Sequence, residues 1–312
     1  MPRYSVVVPA YNAPRTIRST IESVLAQTRT DLELVVVDDG STDQTPDVVR
    51  DYEQRDHRVR LIQQENQGVA GARTTGIGQA RGRLVSFLDN DDLWLPSYLE
   101  EMERALEADQ DAGFAYTDGW TLEDSTKRIR VASSMSGSDP PEHPPLDVGE
   151  LMTRLVQINF ILSSATVRRD VLEEVGSFDP AANAVDDYDL WLRIVAAGYR
   201  AARARGRLVI QRELADSQSK DELLMARGIR QALVPVVETY DAPAAAKALA
   251  RKRIRRLDRQ IAALSGTSRS GALLWRARSA FGELRNHLRP APACYEQPPP
   301  EVAAAFPDLS SV

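Results

Sequence analysis

The sequence predicts an α/β protein: a mostly parallel central sheet with flanking helices, extended at the C-terminal end by basic helices. Three observations carry this expectation. Ser5–Val8 and Leu32–Val37 are β-branched and almost continuously apolar, as strands covered on both faces must be. Between them Ile17, Ile21, Val24 and Leu25 recur at the i, i+4, i+7, i+8 spacing of an amphipathic helix. From about Lys220 to Leu288 the pattern becomes wholly helical, and arginine dominates its polar face.

Taken in order, Val59–Ile62 and Leu84–Leu88 read as two further strands, with Gly68–Ala80 a helix between them despite its glycines. Strand–helix–strand repetition of this kind favours a parallel sheet, in which ligands bind beyond the carboxyl ends of the strands. After residue 120 the pattern is mixed. Asp139–Pro145 is a proline-broken loop, Phe160–Val167 a strand and Tyr188–Ala197 a helix. The proline-rich end is expected to be loosely ordered. Three units follow: a ligand-binding domain over 1–220, a basic helical extension over 221–290 and a tail over 291–312.

Composition narrows the function classes. With 312 residues and 43% hydrophobic content the chain can bury a large core without staples. A single cysteine, Cys294, and three histidines exclude a disulfide framework and a Cys/His zinc site. No apolar run reaches the roughly 18 residues of a membrane span, and the sequence after Met1 runs directly into a strand without a signal-peptide pattern. The expected location is the cytoplasm. Charge is unevenly spread: Asp241–Pro290 holds 12 Lys and Arg against 3 Asp and Glu, a net of +9, leaving −15 for the rest of a chain whose total is −6. An acidic body repels nucleic acid, so an anionic membrane surface, met by the basic helices at the inner face, is the better partner for them. Packing of the same helices back on the body, with their arginines in solvent, is the plainer account of the pattern, and a coiled-coil or oligomer contact is a third.

Carboxylates gather at the strand ends. Asp38 and Asp39 close the second strand, where they either cap a turn or accept hydrogen bonds from a nucleobase or ribose. Asp89-Asn90-Asp91-Asp92 closes the fourth, and three carboxylates within four residues repel one another unless a cation such as Mg²⁺ or Mn²⁺ is present. The Asp-x-Asp spacing turns two of them to one side of a strand end. Asp186 and Asp187 precede a helix, where they complement its dipole or supply a general base.

The ordered segments Ser5-Val-Val-Val-Pro-Ala-Tyr-Asn12, Val37-Asp-Asp-Gly-Ser-Thr-Asp43, Asn66-Gln-Gly-Val-Ala-Gly-Ala-Arg73 and Phe87-Leu-Asp-Asn-Asp-Asp92 are followed by Gly176-Ser-Phe-Asp-Pro180 and Asp186-Asp187-Tyr-Asp-Leu-Trp191. Over residues 4–220 the chain thereby resembles the inverting family-2 glycosyltransferases, which have the Rossmann-like GT-A fold. The resemblance implies a nucleotide-diphosphate sugar as donor, UDP- or dTDP-linked, and transfer to a hydroxyl of a glycan or lipid-linked acceptor in cell-surface polysaccharide synthesis. It implies that Pro9, Ala10, Tyr11 and Asp39 hold the nucleobase and that Arg73 helps fix the nucleotide. Asp89 would lie near ribose and metal, Asp91 would ligate a Mg²⁺ or Mn²⁺ bridging the phosphates, and Asp187 would be the base.

Two departures stand out. Asp186 occupies a position where the family often has Glu, and Leu214 stands where a histidine often precedes the Ser217-Gln-Ser219 segment. Arg212 could compensate the lost ligand with its charge. The competing readings are a phosphatase of the haloacid-dehalogenase type, which leaves Asp39 and Asp187 unexplained, and a non-catalytic nucleotide-binding relative, which Leu214 alone favours.

Overall fold

A computed structural model describes residues 1–123, 128–132, 147–182, 184–214, 217–266, 294–295 and 298–306. The first seven elements alternate: β1 (Tyr4–Ala10), α1 (Ile17–Leu25), β2 (Leu32–Asp38), α2 (Thr45–Arg55), β3 (Val59–Gln63), α3 (Gly68–Gln79) and β4 (Leu84–Phe87). They build a parallel core in the order β3-β2-β1-β4. Every residue of β1 and β2 is buried, which is why their sequences show no polar alternation. Register places Ala10 beside Asp38 and Asp38 beside Gln63, while Val7 pairs with Phe87. The carboxyl ends of these strands therefore share one edge. Helix α3 lies tight on the sheet because a Cβ at Gly76 would stand 2.3 Å from Val7 Cγ1. Gly76, a weak helix former, permits this approach.

The second half extends the sheet in mixed fashion. Its elements are β5 (Leu93–Trp94), α4 (Tyr98–Ala108), β6 (Ala112–Glu123), β7 (Ile129–Ala132), α5 (Val148–Gln157), β8 (Ala165–Arg168), α6 (Arg169–Val175), α7 (Asp186–Ala196) and β9 (Arg200–Glu213). Strand β8 pairs antiparallel with both β4 and β6, and β9 runs parallel to β6 through several register shifts before β5 pairs antiparallel with it. This curls the sheet and brings the end of β9 back to the segment that follows β4.

The strand expected over Phe160–Val167 is shorter than its apolar run. Only 165–168 pair, while Phe160, Ile161 and Leu162 are buried in a loop. Apolar character there signals burial, not strand. The helical run after Lys220 is broken into α8 (Glu222–Glu238) and α9 (Ala244–Leu264). Asp221 caps α8 by accepting from Leu223 N at 3.0 Å and Leu224 N at 2.9 Å, and Pro243, extended at φ −53° and ψ 147°, starts α9. Both the expected loop over 139–145 and the rest of the helical run, from residue 267, lie outside the described residues.

Two large clusters sandwich the sheet. On one face α5, α7, α8 and α9 cover Val7, Val85 and Phe114, with Phe114 stacked on Trp191 at 4.9 Å. On the other, α1 and α4 cover Val6, Val8, Leu34 and Val36. Ala246, Ala250 and Leu257 of α9 enter the first of these cores. The proline-rich end is not loose throughout: β10 (Cys294–Tyr295) pairs with β7, and α10 (Pro300–Ala305) buries Val302 completely against Leu93, Leu95, Trp120 and Ile210.

Candidate active site

The shared carboxyl edge collects the acidic residues that the sequence singles out. At its β1 end, Pro9 and Ala10 are buried strand residues, whereas Tyr11 is 49% exposed, an unusual position for an aromatic ring in this chain. Asn12 adopts φ 47° and knits two loops together: its backbone N donates to Ser41 Oγ at 2.9 Å, and its Oδ1 accepts from Thr42 N at 2.9 Å. Behind them Asp39 is buried, with its N donating to Ala10 O at 2.8 Å. Its Oδ1 accepts from Gln64 Nε2 at 2.7 Å and from Gln67 N at 2.9 Å. Both side-chain bonds fall on one oxygen. Gly40, at φ 77°, turns the chain beside Asn66 N, where a Cβ would approach to 3.0 Å. Asp38 has a structural part, accepting from Ser41 N at 3.3 Å and Gln63 Nε2 at 3.1 Å.

Beyond β4 the chain makes a turn, with Asp92 N donating to Asp89 O at 3.1 Å. Strand geometry ends at Phe87, so the alternation expected to align Asp89 with Asp91 does not apply. Turn geometry distributes the three carboxylates instead. Asp89 is partly exposed and pairs with Arg73, while its Oδ2 accepts from Ser163 Oγ at 2.9 Å. Asp91 is half-buried. Asp92 is buried and its Oδ1 accepts from Arg212 N at 3.0 Å. Thr20 pins the turn from α1 by donating from Oγ1 to Asn90 O at 3.0 Å and Asp92 O at 2.9 Å. Burial, and then the charges of Asp91 and Asp89, push the Asp92 carboxyl well above the usual range.

On the opposite side Asp186 and Asp187 open α7. Asp186 is 4% exposed and its Oδ2 accepts from Arg73 Nη1 at 2.7 Å. Asp187 is half-buried and its Oδ1 accepts from Tyr188 N at 2.6 Å. Burial and the neighbouring Asp186 raise its carboxyl to about 7, with Arg73 and the Tyr188 N–H pulling the other way. Arg73 thus joins the turn after β4 to the start of α7, through residues 16 and 113 positions away.

The structure joins Arg73 to Asp89 and to Asp186, next to Asp187, and adds Ser163 and Thr20, which no sequence pattern signals. No spacing rule connects Ser163 to Asp89 across 74 residues. Arg212, whose position the sequence leaves open, lies along the turn: its N reaches Asp92 and its Nη2 donates to Ser19 Oγ at 2.7 Å. Leu214 is half-buried, and Lys220 Nζ donates to its carbonyl at 2.6 Å. A cation thus stands beside the position where a histidine is missing.

Among the described residues no group of three or more His, Cys, Asp or Glu side chains forms a cage for a metal ion. The turn nonetheless fits a divalent cation. Mg²⁺ and Mn²⁺ are commonly held by one or two carboxylates together with substrate phosphates, and the partly exposed Asp89 and Asp91, close together on one turn, offer that donor set. No helix among the described residues is long and apolar enough to cross a membrane.

The family model for Glycosyl transferase family 2 matches residues 5–176. A protein of Escherichia coli named UDP-Glc:alpha-D-GlcNAc-diphosphoundecaprenol beta-1,3-glucosyltransferase WfaP is 31% identical over 198 residues, covering 63% of this chain and 72% of that protein. EpsH of Bacillus subtilis is 42% identical, but over 103 residues, so that the match spans only 30% of that protein's length. Among solved structures, S. aureus TarS residues 1–349 in complex with UDP-GlcNAc superposes with a TM-score of 0.64 at 20% identity, covering 84% of this chain and 73% of that one. The mannosyltransferase PcManGT of Pyrobaculum calidifontis, in complex with GDP-Man and Mn2+, gives 0.60 at 22% identity, covering 90% and 80%. At these identities the structural likeness shows the fold, which is GT-A.

Proposed function

The chain belongs to glycosyl transferase family 2, and from that premise we propose that it is a metal-dependent inverting transferase. It moves a sugar from a nucleoside-diphosphate donor, UDP- or dTDP-linked, to a hydroxyl of a glycan or lipid-linked acceptor in cell-surface polysaccharide assembly. The observation that carries this reading is the pairing of a charge-rich turn at Asp89–Asp92 with a half-buried carboxyl of raised pKa at Asp187. A base poised near neutrality faces a site able to bind a diphosphate through a cation.

In this reading Tyr11 stacks on the nucleobase at the rim formed by Pro9 and Ala10, and Asp39 accepts from a base N–H. Asp89 and Asp91 hold a Mg²⁺ or Mn²⁺, which when bound neutralises charge on the departing diphosphate. Asp187 takes the proton of the acceptor hydroxyl as its oxygen forms a bond to the anomeric carbon. The bond from that carbon to the diphosphate breaks on the opposite face, so configuration inverts. Proton removal of this kind is worth about 10²–10⁴-fold in rate.

Residues 1–220 act as the catalytic unit, with the basic extension that begins in α8 and α9 attached to it. The outer face of α9 supports contact with anionic lipid: Arg251, Lys252, Arg255, Arg256 and Arg259 are exposed, and none has an ion-pair partner among the described residues. Such a contact suits a lipid-linked acceptor, the class in the name of WfaP.

The test is thermal unfolding with UDP, dTDP, GDP and CDP, each with and without Mn²⁺. A ligand at 100 times its Kd stabilises by about 2.7 kcal/mol. A shift that needs Mn²⁺ and disappears in Asp91→Ala supports the reading. No shift with any of the four refutes it, whereas a nucleotide shift without sugar transfer would favour the non-catalytic nucleotide-binding relative.

A further inference from the structure

Arg73 is placed unlike a nucleotide contact. Its side chain is 5% exposed, and its guanidinium lies 5.2 Å from the Phe178 ring centre, which itself meets Phe87 edge-on at 4.8 Å. One terminal nitrogen serves Asp89 and the other Asp186, and its Nε is buried without a partner among the described residues. The orientation of the fork is therefore set by the two carboxylates and the ring beneath it, not by full satisfaction of its own donors. Little surface remains through which Arg73 could touch a phosphate or a base.

This division of one cation between two carboxylates has a consequence for Asp89. An Arg⁺ paired with Asp89 alone would compete with any cation arriving there, because two positive charges on one carboxylate repel. Asp186 offers Arg73 a second, more buried anion, so the guanidinium can shift its weight without leaving its pocket. An Asp186 neutralised by substitution withdraws that alternative.

We infer that Asp186 and Arg73 are positioning residues that release Asp89 for a divalent cation, and so couple cation-dependent nucleotide binding to the helix carrying Asp187. The inference rests on the proposed function and adds to it a residue, Asp186, that acts at the donor side from the acceptor side. A purely structural Asp186 would stabilise the start of α7 and leave cation affinity alone.

The experiment titrates Mn²⁺ into the full chain at fixed UDP, following UDP binding by calorimetry, and repeats the UDP titration in EDTA. Wild type, Asp186→Asn and Asp186→Glu are compared, with unfolding temperature measured for each. Asp186→Asn is expected to weaken apparent Mn²⁺ affinity roughly five- to tenfold. Asp186→Glu, which restores the charge, should return it to within about twofold of wild type, and all three should bind UDP alike in EDTA. Equal Mn²⁺ affinity in Asp186→Asn, or the same loss with and without metal, overturns the inference while leaving the proposed function standing. Should Asp186→Asn fail to fold, Arg73→Lys, which keeps the charge but cannot span both carboxylates, takes its place: a weakened Mn²⁺ affinity with unchanged UDP binding in EDTA supports the inference, and an unchanged Mn²⁺ affinity overturns it. Wild type that binds neither UDP nor GDP with Mn²⁺ removes the proposed function and this inference with it.

Discussion

Asp187 should destabilise the fold it serves, and the amount follows from its surroundings. Its carboxyl rises from 3.8 to about 7, first through burial and then through Asp186. The folded state accordingly holds a proton that the unfolded chain releases, so between pH 4 and 7 stability contributed by this group falls as pH rises. A shift of about three units corresponds to about 4 kcal/mol once the group is ionised in both states. Asp187→Asn keeps an Oδ1 acceptor for the Tyr188 N–H while removing the charge. The variant should therefore exceed wild type in stability by about 4 kcal/mol at pH 8, and by about 1.5 kcal/mol at pH 5. Urea unfolding of both proteins at the two pH values measures this directly, because titrations common to both cancel in the difference. Equal stability at pH 8, or a gain independent of pH, would refute the argument that burial, and then the charge of Asp186, hold this carboxyl up.

If Asp187 is the base, as proposed, transfer by wild type should fall about tenfold per pH unit below about 7 and level off above it, while Asp187→Asn should lose about 10²–10⁴-fold above pH 7 and show no such fall. Gly76→Ala drives a methyl to 2.3 Å from Val7 Cγ1 and should cost about 1–3 kcal/mol, read as a lower urea midpoint at unchanged slope. Thr20→Val removes the donor that holds both Asn90 O and Asp92 O, and should cost about 1–3 kcal/mol and weaken Mn²⁺-dependent UDP binding, measured by calorimetry.

Legibility in the sequence followed burial. Strands β1, β2 and β4 are enclosed on both faces, and hydrophobic runs alone announce them. Strand β9 escapes notice because its sequence is arginine-rich, and the arginines are satisfied by partners far away: Arg200 by Asp109 and Asp111, Arg203 by Asp118. Its buried apolar residues, Ala201, Ala202, Ala204 and Leu208 to Ile210, fall in blocks between its arginines, so no period of two appears. The acidic positions at Asp39, Asp89 and Asp187 were readable from their placement at element ends. Their partners were not, since Arg73 meets Asp186 and Ser163 meets Asp89 only after the sheet has curled.

The burial of Val302 has a bearing on how the chain acquires its shape during synthesis. Leu93 and Leu95, just past the carboxylate turn, form one cluster with Trp120, Ile210 and Val302. Strand β5 and its neighbours emerge from the ribosome long before α10 does. Until residue 302 is free, this cluster lacks its last cover and presents apolar surface to whatever is nearby. The segment that follows the Asp89–Asp92 turn would gain its final support only with the arrival of α10.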